Sequence, residues 1–284
     1  MLGALRFVLL LIARILMVIT AVFTVTLLLV FALKGVDVVF ARPYPAALMM
    51  ALALAGMLIF NGVYQNGEGA PPPLWLRIPT LAALTGFPVY ACIAFYAFAL
   101  RIGAYGLTPP RIAGITVNAL VAAYSLVCLA GLLSELRWRS KRWMAPVAPL
   151  NTAMAFAWVV ALILLATPLA NPWAISAKSQ YALLASGKIA AADFDFGYLQ
   201  FKLGEYGERA LDDLLALDDH PEAETIRARV KTARAAPTYW HYQNSETAPT
   251  EALKPDHAPP ASDGPDSLPL NPKDADDQNP ESQP

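Results

Sequence analysis

Over the first 169 positions, apolar residues form long unbroken runs. No polar face recurs every three or four residues, and there is no strict alternation. Stretches free of any charged residue cover 15–33, 46–63, 78–100, 112–133 and 150–169. A helix rises about 1.5 Å per residue, so roughly 20 apolar residues cross a hydrocarbon layer about 30 Å thick. Soluble core helices would carry a polar face, and membrane β-strands would alternate. The runs therefore predict an all-α membrane domain, 1–169, with about five transmembrane helices, each closing its own backbone hydrogen bonds. Pro45 and Pro79 are expected in first turns, where a missing N–H costs little. Pro88, inside the third run, predicts a kink that frees a carbonyl near Leu84. Arg14 interrupts a longer apolar stretch, 7–33. Starting the span near Ile15 lets its guanidinium reach the interface. Residues 1–30 read as an uncleaved signal anchor, because the apolar stretch exceeds an ordinary signal-peptide core and no A-x-A-like site closes it.

Beyond residue 169 the periodicity becomes that of soluble amphipathic helices. Asn171 can cap and Pro172 can open a helix in which Trp173, Ala177, Tyr181 and Leu184 share a face, with Gly187 as the stop. A second helix, about 190–203, groups Phe196, Leu199 and Leu203. A third, about 207–217, groups Ala210, Leu211, Leu214 and Leu215. A fourth, 221–235, places Ala223, Ile226, Val230 and Ala233 inward. These define a small soluble helical domain, 170–243. Residues 244–284 hold nine prolines, nine acidic residues and two lysines. Such a segment cannot bury enough apolar surface to fold and is expected to be a disordered acidic tail.

Charge sharpens the division. The 284 residues carry a formal net charge of −1. That value hides a cancellation, +8 over 1–169 against −9 over 170–284. Lys and Arg mark cytoplasmic loops. Arg137, Arg139, Lys141 and Arg142 cluster between the fourth and fifth runs. Placing that loop inside also puts Arg6, Arg14 and Arg77 there, seven cations against Lys34, Arg42, Arg101 and Arg111 on the other side. This predicts a cytoplasmic N-terminus and a helical domain on the outer face, with Trp138, Trp143 and Trp173 as interfacial anchors. The tail's net charge of −7 disfavours nucleic acid and anionic lipid surfaces.

Catalytic chemistry is not signalled. The acids before residue 170 are Asp37, Glu68 and Glu135, all expected in loops, so no span carries a carboxylate for a coupling ion. Histidine first occurs at His220, and His220, His241 and His257 lack ligand spacing, so no metal site is expected and the three are taken as solvated. Cys92 and Cys128 fall within spans, where a thiol behaves as a small hydrophobe. No nucleophile elbow, zinc motif or phosphate loop occurs. The reading is thus of no catalytic residue and no cofactor. The candidate binding residues are Asn61, Tyr64, Gln65, Tyr105 and Arg111, at the edges of the second to fourth runs. They could line a polar pocket, but turn and capping chemistry accounts for the same residues, and the predicted topology puts the two groups on opposite sides of the bilayer. Asn118 is expected to hydrogen-bond a neighbouring helix.

Several segments together resemble a known family. They are Asn61–Gly67 (NGVYQNG), Tyr105–Arg111 (YGLTPPR), Asn171–Trp173 with Ser176 and Gln180, Ser186-Gly187-Lys188, Asp193–Phe196 (DFDF), and Leu203–Gly207 with Ala210-Leu211. In this order the chain resembles the C-terminal half of the bacterial membrane proteins grouped as domain of unknown function 4153. The resemblance implies a bacterial inner-membrane location and no known activity, so it carries over no catalytic residue. Family members usually have further spans upstream, so the chain is either a short or split version or a truncated one. Gly204-Glu205-Tyr206, Ala210-Leu211 and Pro221 also look like part of a tetratricopeptide repeat, but the Gly204-to-Ala210 spacing is one residue too long and no second repeat follows. The functional expectation is a non-catalytic structural or partner-docking membrane protein, with a protein partner reached through 170–243. A channel or carrier for a small solute or lipid is the alternative.

Overall fold

The computed structural model describes residues 2–67, 71–137 and 143–246. The regular elements among them are all helical. They run α1 (Leu2–Lys34), α2 (Asp37–Phe40), α3 (Pro45–Tyr64), α4 (Leu74–Leu84), α5 (Gly86–Tyr105), α6 (Pro109–Arg137) and α7 (Val147–Ala166). After a single 3-10 turn (Pro168–Ala170) come α8 (Pro172–Ala185), α9 (Phe196–Lys202), α10 (Gly204–Leu215) and α11 (Ala223–Ala235). Residues from Pro237 onward belong to a separate unit, whose described part contains α12 (Tyr239–Glu246). The expected acidic tail lies outside the described residues apart from its first three positions, which end α12.

Among the described residues five helical stretches are long and apolar enough to cross a membrane: Gly3–Lys34, Pro45–Tyr64, Leu74–Tyr105, Pro109–Glu135 and Val147–Ala166. Each overlaps one of the charge-free runs, and the differences have local causes. The fifth ends at Ala166 rather than 169 because Thr167 precedes Pro168 and adopts an extended conformation (φ −99°, ψ 160°). The third begins earlier than expected, at Leu74, so Pro79 lies inside α4 rather than in a first turn. The anticipated interruption is a single residue: Thr85 keeps helical angles (φ −66°, ψ −25°), and one stretch runs through it from Leu74 to Tyr105. Thr85 separates α4 from α5, and Pro88 occupies the third position of α5, where it cannot supply the N–H that would have bonded the Leu84 carbonyl. Glu135 sits in the last turn of α6 rather than in a loop.

The bundle core is apolar and built mainly where α3 meets α5. Met49, Ala53, Met57 and Phe60 of α3 face Phe87, Tyr90, Ala91 and Ala94 of α5, with Met17 of α1 and Cys128 of α6 filling the flanks. By contrast α7 presents Phe156, Val159, Val160, Leu162 and Ile163 outward, each more than half exposed. A soluble fold would bury such side chains; lipid covers them without cost.

Helices α8–α11 enclose a second small core of Leu184, Phe196, Leu199, Leu211, Leu214, Ile226, Val230 and Ala233, all essentially inaccessible. Asn171 caps α8 by accepting from the Trp173 (2.9 Å) and Ala174 (3.4 Å) amides. The stop is a Schellman arrangement, with Gly187 N–H donating to Leu184 O and Lys188 N–H to Leu183 O. The second predicted helix is shorter than its periodicity implied. Asp195 accepts from the Tyr198 amide and starts α9 only at Phe196. The third starts three residues early, at Gly204, and the fourth at Ala223, past a turn containing Pro221. α10 can cross α9 closely only because position 207 is glycine: a Cβ there would lie 1.9 Å from the Leu199 carbonyl oxygen.

Candidate functional site

The five candidate residues separate into two clusters at opposite ends of the bundle, so the single pocket does not assemble. The first cluster gathers the start of α1, the end of α3, the start of α4 and the α6–α7 turn. Asn61 Oδ1 accepts from Tyr124 Oη (2.9 Å) and Asn151 Nδ2 (2.8 Å), while Asn61 Nδ2 donates to Met57 O (2.9 Å). One amide thereby ties α3 to α6 and α7. One turn on, the buried Tyr64 donates to Met144 O (3.3 Å). The Met144 amide in turn donates to Glu135 Oε1 (2.8 Å), and Arg77 of α4 pairs with the other oxygen of the same carboxylate. Met144 holds a left-handed φ of 47°, which a β-carbon disfavours. Its two backbone polar groups are nevertheless both satisfied, by side chains from two different helices. Gln65 accepts from Arg6 of α1 (3.1 Å). Trp143, expected as an interfacial anchor, is instead only 4% exposed, tilted against the Tyr64 ring and inserted beneath the bundle end. Trp138 lies outside the described residues.

The second cluster joins the α5–α6 loop to α8. Gly106 ends α5 at φ +70°, and a Cβ there would approach Gln180 Nε2 to 3.0 Å. The next residue is held on both sides. Leu107 N–H donates to Ser179 Oγ (3.0 Å), and Leu107 O accepts from Ser176 Oγ (3.0 Å) and Gln180 Nε2 (3.2 Å). Gln180 also donates to Tyr105 O (3.1 Å). Arg111 closes the loop from within, donating to Gly106 O (2.8 Å) and Tyr105 O (3.4 Å), with its guanidinium 5.7 Å from the Tyr105 ring centre. Tyr198 of α9 borders Ser176 and Arg111, and burial pushes its phenol above the ordinary tyrosine value. The side chains of α8 thus bind the backbone of residues 105–107 much as a receptor binds an extended peptide.

The sequence reading missed Ser176, Ser179 and Gln180 as the contact surface of α8. The buried face is Pro172, Ser176, Ala177, Gln180, Leu183 and Leu184, while Trp173 is 48% exposed. Apolar periodicity favours Trp173, and the polar pair at i and i+4, Ser176 and Gln180, was the available signal. His220 is also more than a solvated side chain. Its Nδ1 accepts from the Glu222 amide (3.1 Å), which leaves Nε2 as the proton-bearing nitrogen facing Leu184 O at 3.2 Å. Asn118 donates to Ala91 O (3.1 Å), bonding α6 to α5 as expected. Among the described residues no group of three or more His, Cys, Asp or Glu side chains could hold a metal ion.

Comparison with protein-family models finds no match, and comparisons with curated proteins and with solved structures find none either.

Proposed function

We propose that this chain is a multi-pass bacterial inner-membrane protein with a non-catalytic scaffolding role. It holds a compact helical unit, α8–α11, firmly on the outer face of the bilayer for a protein partner to dock. The observation that carries this reading is the clamp between α8 and the α5–α6 loop, in which Leu107 uses both backbone groups and Tyr105, Gly106 and Arg111 take part. Such side-chain recognition of a loop backbone fixes orientation at the cost of ordering several side chains. That expenditure suits a platform better than a tethered, freely moving domain. The bias of seven cations to four supports a cytoplasmic N-terminus. Paired C-terminal reporter fusions after Ala236, one active outside the cytoplasm and one inside, test that orientation.

The docking role is tested with a photoreactive residue at Glu208 or Asp213, both exposed on α10. A discrete adduct with one protein at native expression is the expected result. A probe at Ser179, which should capture the chain's own loop at 105–108, serves as the positive control. Reaction at Ser179 with none from α10 would reject partner docking by that helix. A carrier for a small solute or lipid is the second reading, favoured by the interruption of the helical ladder at Thr85 and by the amide of Asn61 inside an apolar bundle. On that reading Asn61→Ala abolishes a transport-linked phenotype in a chain that still folds and inserts.

A further inference from the structure

Arg14 and Arg77 lie on neighbouring helices, since α1 packs along α4, yet their circumstances differ. Arg77 is neutralised by Glu135, whose side chain is only 6% exposed. Arg14 is exposed and has no acceptor among the described residues, on a helix whose other outward side chains are almost all apolar. It sits next to Ala13, which approaches Gly62 one turn from the end of α3. A side chain as long as arginine can reach from there to the interface.

Immediately inward of Arg14 is a groove of about 280 Å³ between α1 and α4. Val18, Ala21, Val22, Val25 and Thr26 form one wall, and Ile78 and Pro79 the other. Positions 14, 18, 21, 22 and 25 share one helix face, so Arg14 lies one turn beyond Val18, past the end of the groove nearer the start of α1. From Val18 to Thr26 the groove runs about 12 Å at roughly 1.5 Å per residue. Its lining is hydrocarbon apart from the Thr26 hydroxyl. It is also smaller than the ~300–1,000 Å³ of typical small-molecule sites. An apolar groove beside a cation with no acceptor among the described residues asks for a ligand with a hydrocarbon tail and an anionic head.

We infer that the α1–α4 groove is a binding site for an anionic phospholipid, with one acyl chain along Val18–Thr26 and the phosphodiester on Arg14. A planar guanidinium can meet both non-bridging oxygens of a phosphodiester at once, and an anionic lipid is preferred because its phosphate lacks the headgroup ammonium that compensates the charge in a zwitterion. The site rests on the reading that α1 and α4 are in a bilayer.

The test uses the full chain purified and reconstituted in phosphatidylcholine nanodiscs with or without phosphatidylglycerol. Native mass spectrometry after release reads the retained lipid. Wild type should keep phosphatidylglycerol in preference to phosphatidylcholine. Arg14→Gln should lower that retention about fivefold, the effect of one arginine at an anionic surface, and Arg14→Lys should restore part of it. Val22→Trp, which fills the groove and leaves the charge, should also lose the lipid. Arg101→Gln, at the opposite end of the bundle, should not. Water-soluble glycerol phosphate should neither bind nor compete, which separates a lipid site from a phosphate site. Equal retention of both lipids, or retention unchanged in Arg14→Gln, overturns the proposal while leaving the membrane reading intact. A chain that stays dissolved and monodisperse without any amphiphile defeats both.

Discussion

Replacing Gln180 by alanine tests whether the helical unit is held by the loop backbone or merely lies near it. The side-chain amide makes two hydrogen bonds, to Tyr105 O at 3.1 Å and Leu107 O at 3.2 Å. Each contributes about 0.5–1.5 kcal/mol net. Neither carbonyl is fully orphaned by the change, because Tyr105 O keeps Arg111 and Leu107 O keeps Ser176. The loss is therefore about 2 kcal/mol in the local docking equilibrium, or roughly thirtyfold at about 1.4 kcal/mol per factor of ten. Hydrogen exchange reads this directly, since the Leu107 amide is itself bonded to Ser179 Oγ. Exchange in the 105–111 and 172–185 peptides should accelerate about thirtyfold, given reclosing that is fast relative to chemical exchange from the open state, with the α3–α5 core unchanged. Gln180→Glu keeps the volume but offers two acceptors to two carbonyls, so it should open the clamp further. Unaltered exchange at Leu107 in Gln180→Ala would refute the clamp as the element that positions the unit.

Three further outcomes follow from other contacts. Gly207→Ala puts a Cβ against the Leu199 carbonyl, so α9 and α10 must separate; a loss of about 3 kcal/mol or more is expected on the scale of overpacked cores, read by thermal unfolding, with Gly103→Ala, where a Cβ meets nothing within 4 Å, as the comparison. Asn61→Ala leaves Tyr124 Oη and Asn151 Nδ2 without their acceptor; it should weaken the bundle by about 1–2 kcal/mol, at ~0.6 kcal/mol or more per membrane hydrogen bond, and Tyr124→Phe should add little in that background. Tyr198 titrates above its ordinary value in the folded chain, so its contribution is complete below about pH 10, the free phenol value, and is lost as pH rises through the folded value. Tyr198→Phe should therefore remove part of the alkaline destabilisation seen in the α8–α11 unit by near-ultraviolet circular dichroism.

Long elements were readable because lipid imposes one dominant constraint on them. A charge-free run near 20 residues has few alternatives, and α3 begins and ends within a residue of the run that predicted it. Helix ends depended on single residues that compete. Pro79 looked like a first-turn proline because Arg77 closed the charge-free run, yet the helix continues back to Leu74, since Glu135 satisfies Arg77 where it stands. In the α8–α11 unit the apolar positions of α9 to α11 were found by periodicity. The face of α8 was not, because its partner is a backbone segment and calls for hydroxyl and amide groups rather than apolar ones. Asn61, Tyr64 and Gln65 were singled out as polar residues at an apolar edge, and Tyr105 and Arg111 for the same reason. What sequence spacing could not reveal was that Asn61, Tyr64, Gln65 and Tyr105 find hydrogen-bond partners 59 to 90 residues away in the same chain, while Arg111 turns back on Tyr105 and Gly106 of its own loop.

The two ends of the bundle solve one problem with different chemistry. Where helices leave hydrocarbon, their last polar groups have little water and must find partners within the protein or in the headgroup layer. At the end where α8 meets the α5–α6 loop, neutral donors and acceptors do most of this, through Ser176, Ser179 and Gln180, together with the charged Arg111. At the opposite end the closure is ionic: Glu135 draws together Arg77 and the strained Met144 amide, while Tyr64 holds the carbonyl of the same residue. Removing one partner of a partly buried ion pair strands the other charge, at a cost larger than any single neutral hydrogen bond here. The ionic end is consequently expected to be the less tolerant of substitution. Arg14 belongs to that end yet has no carboxylate to answer it among the described residues, which is why its natural counterion is sought in the lipid.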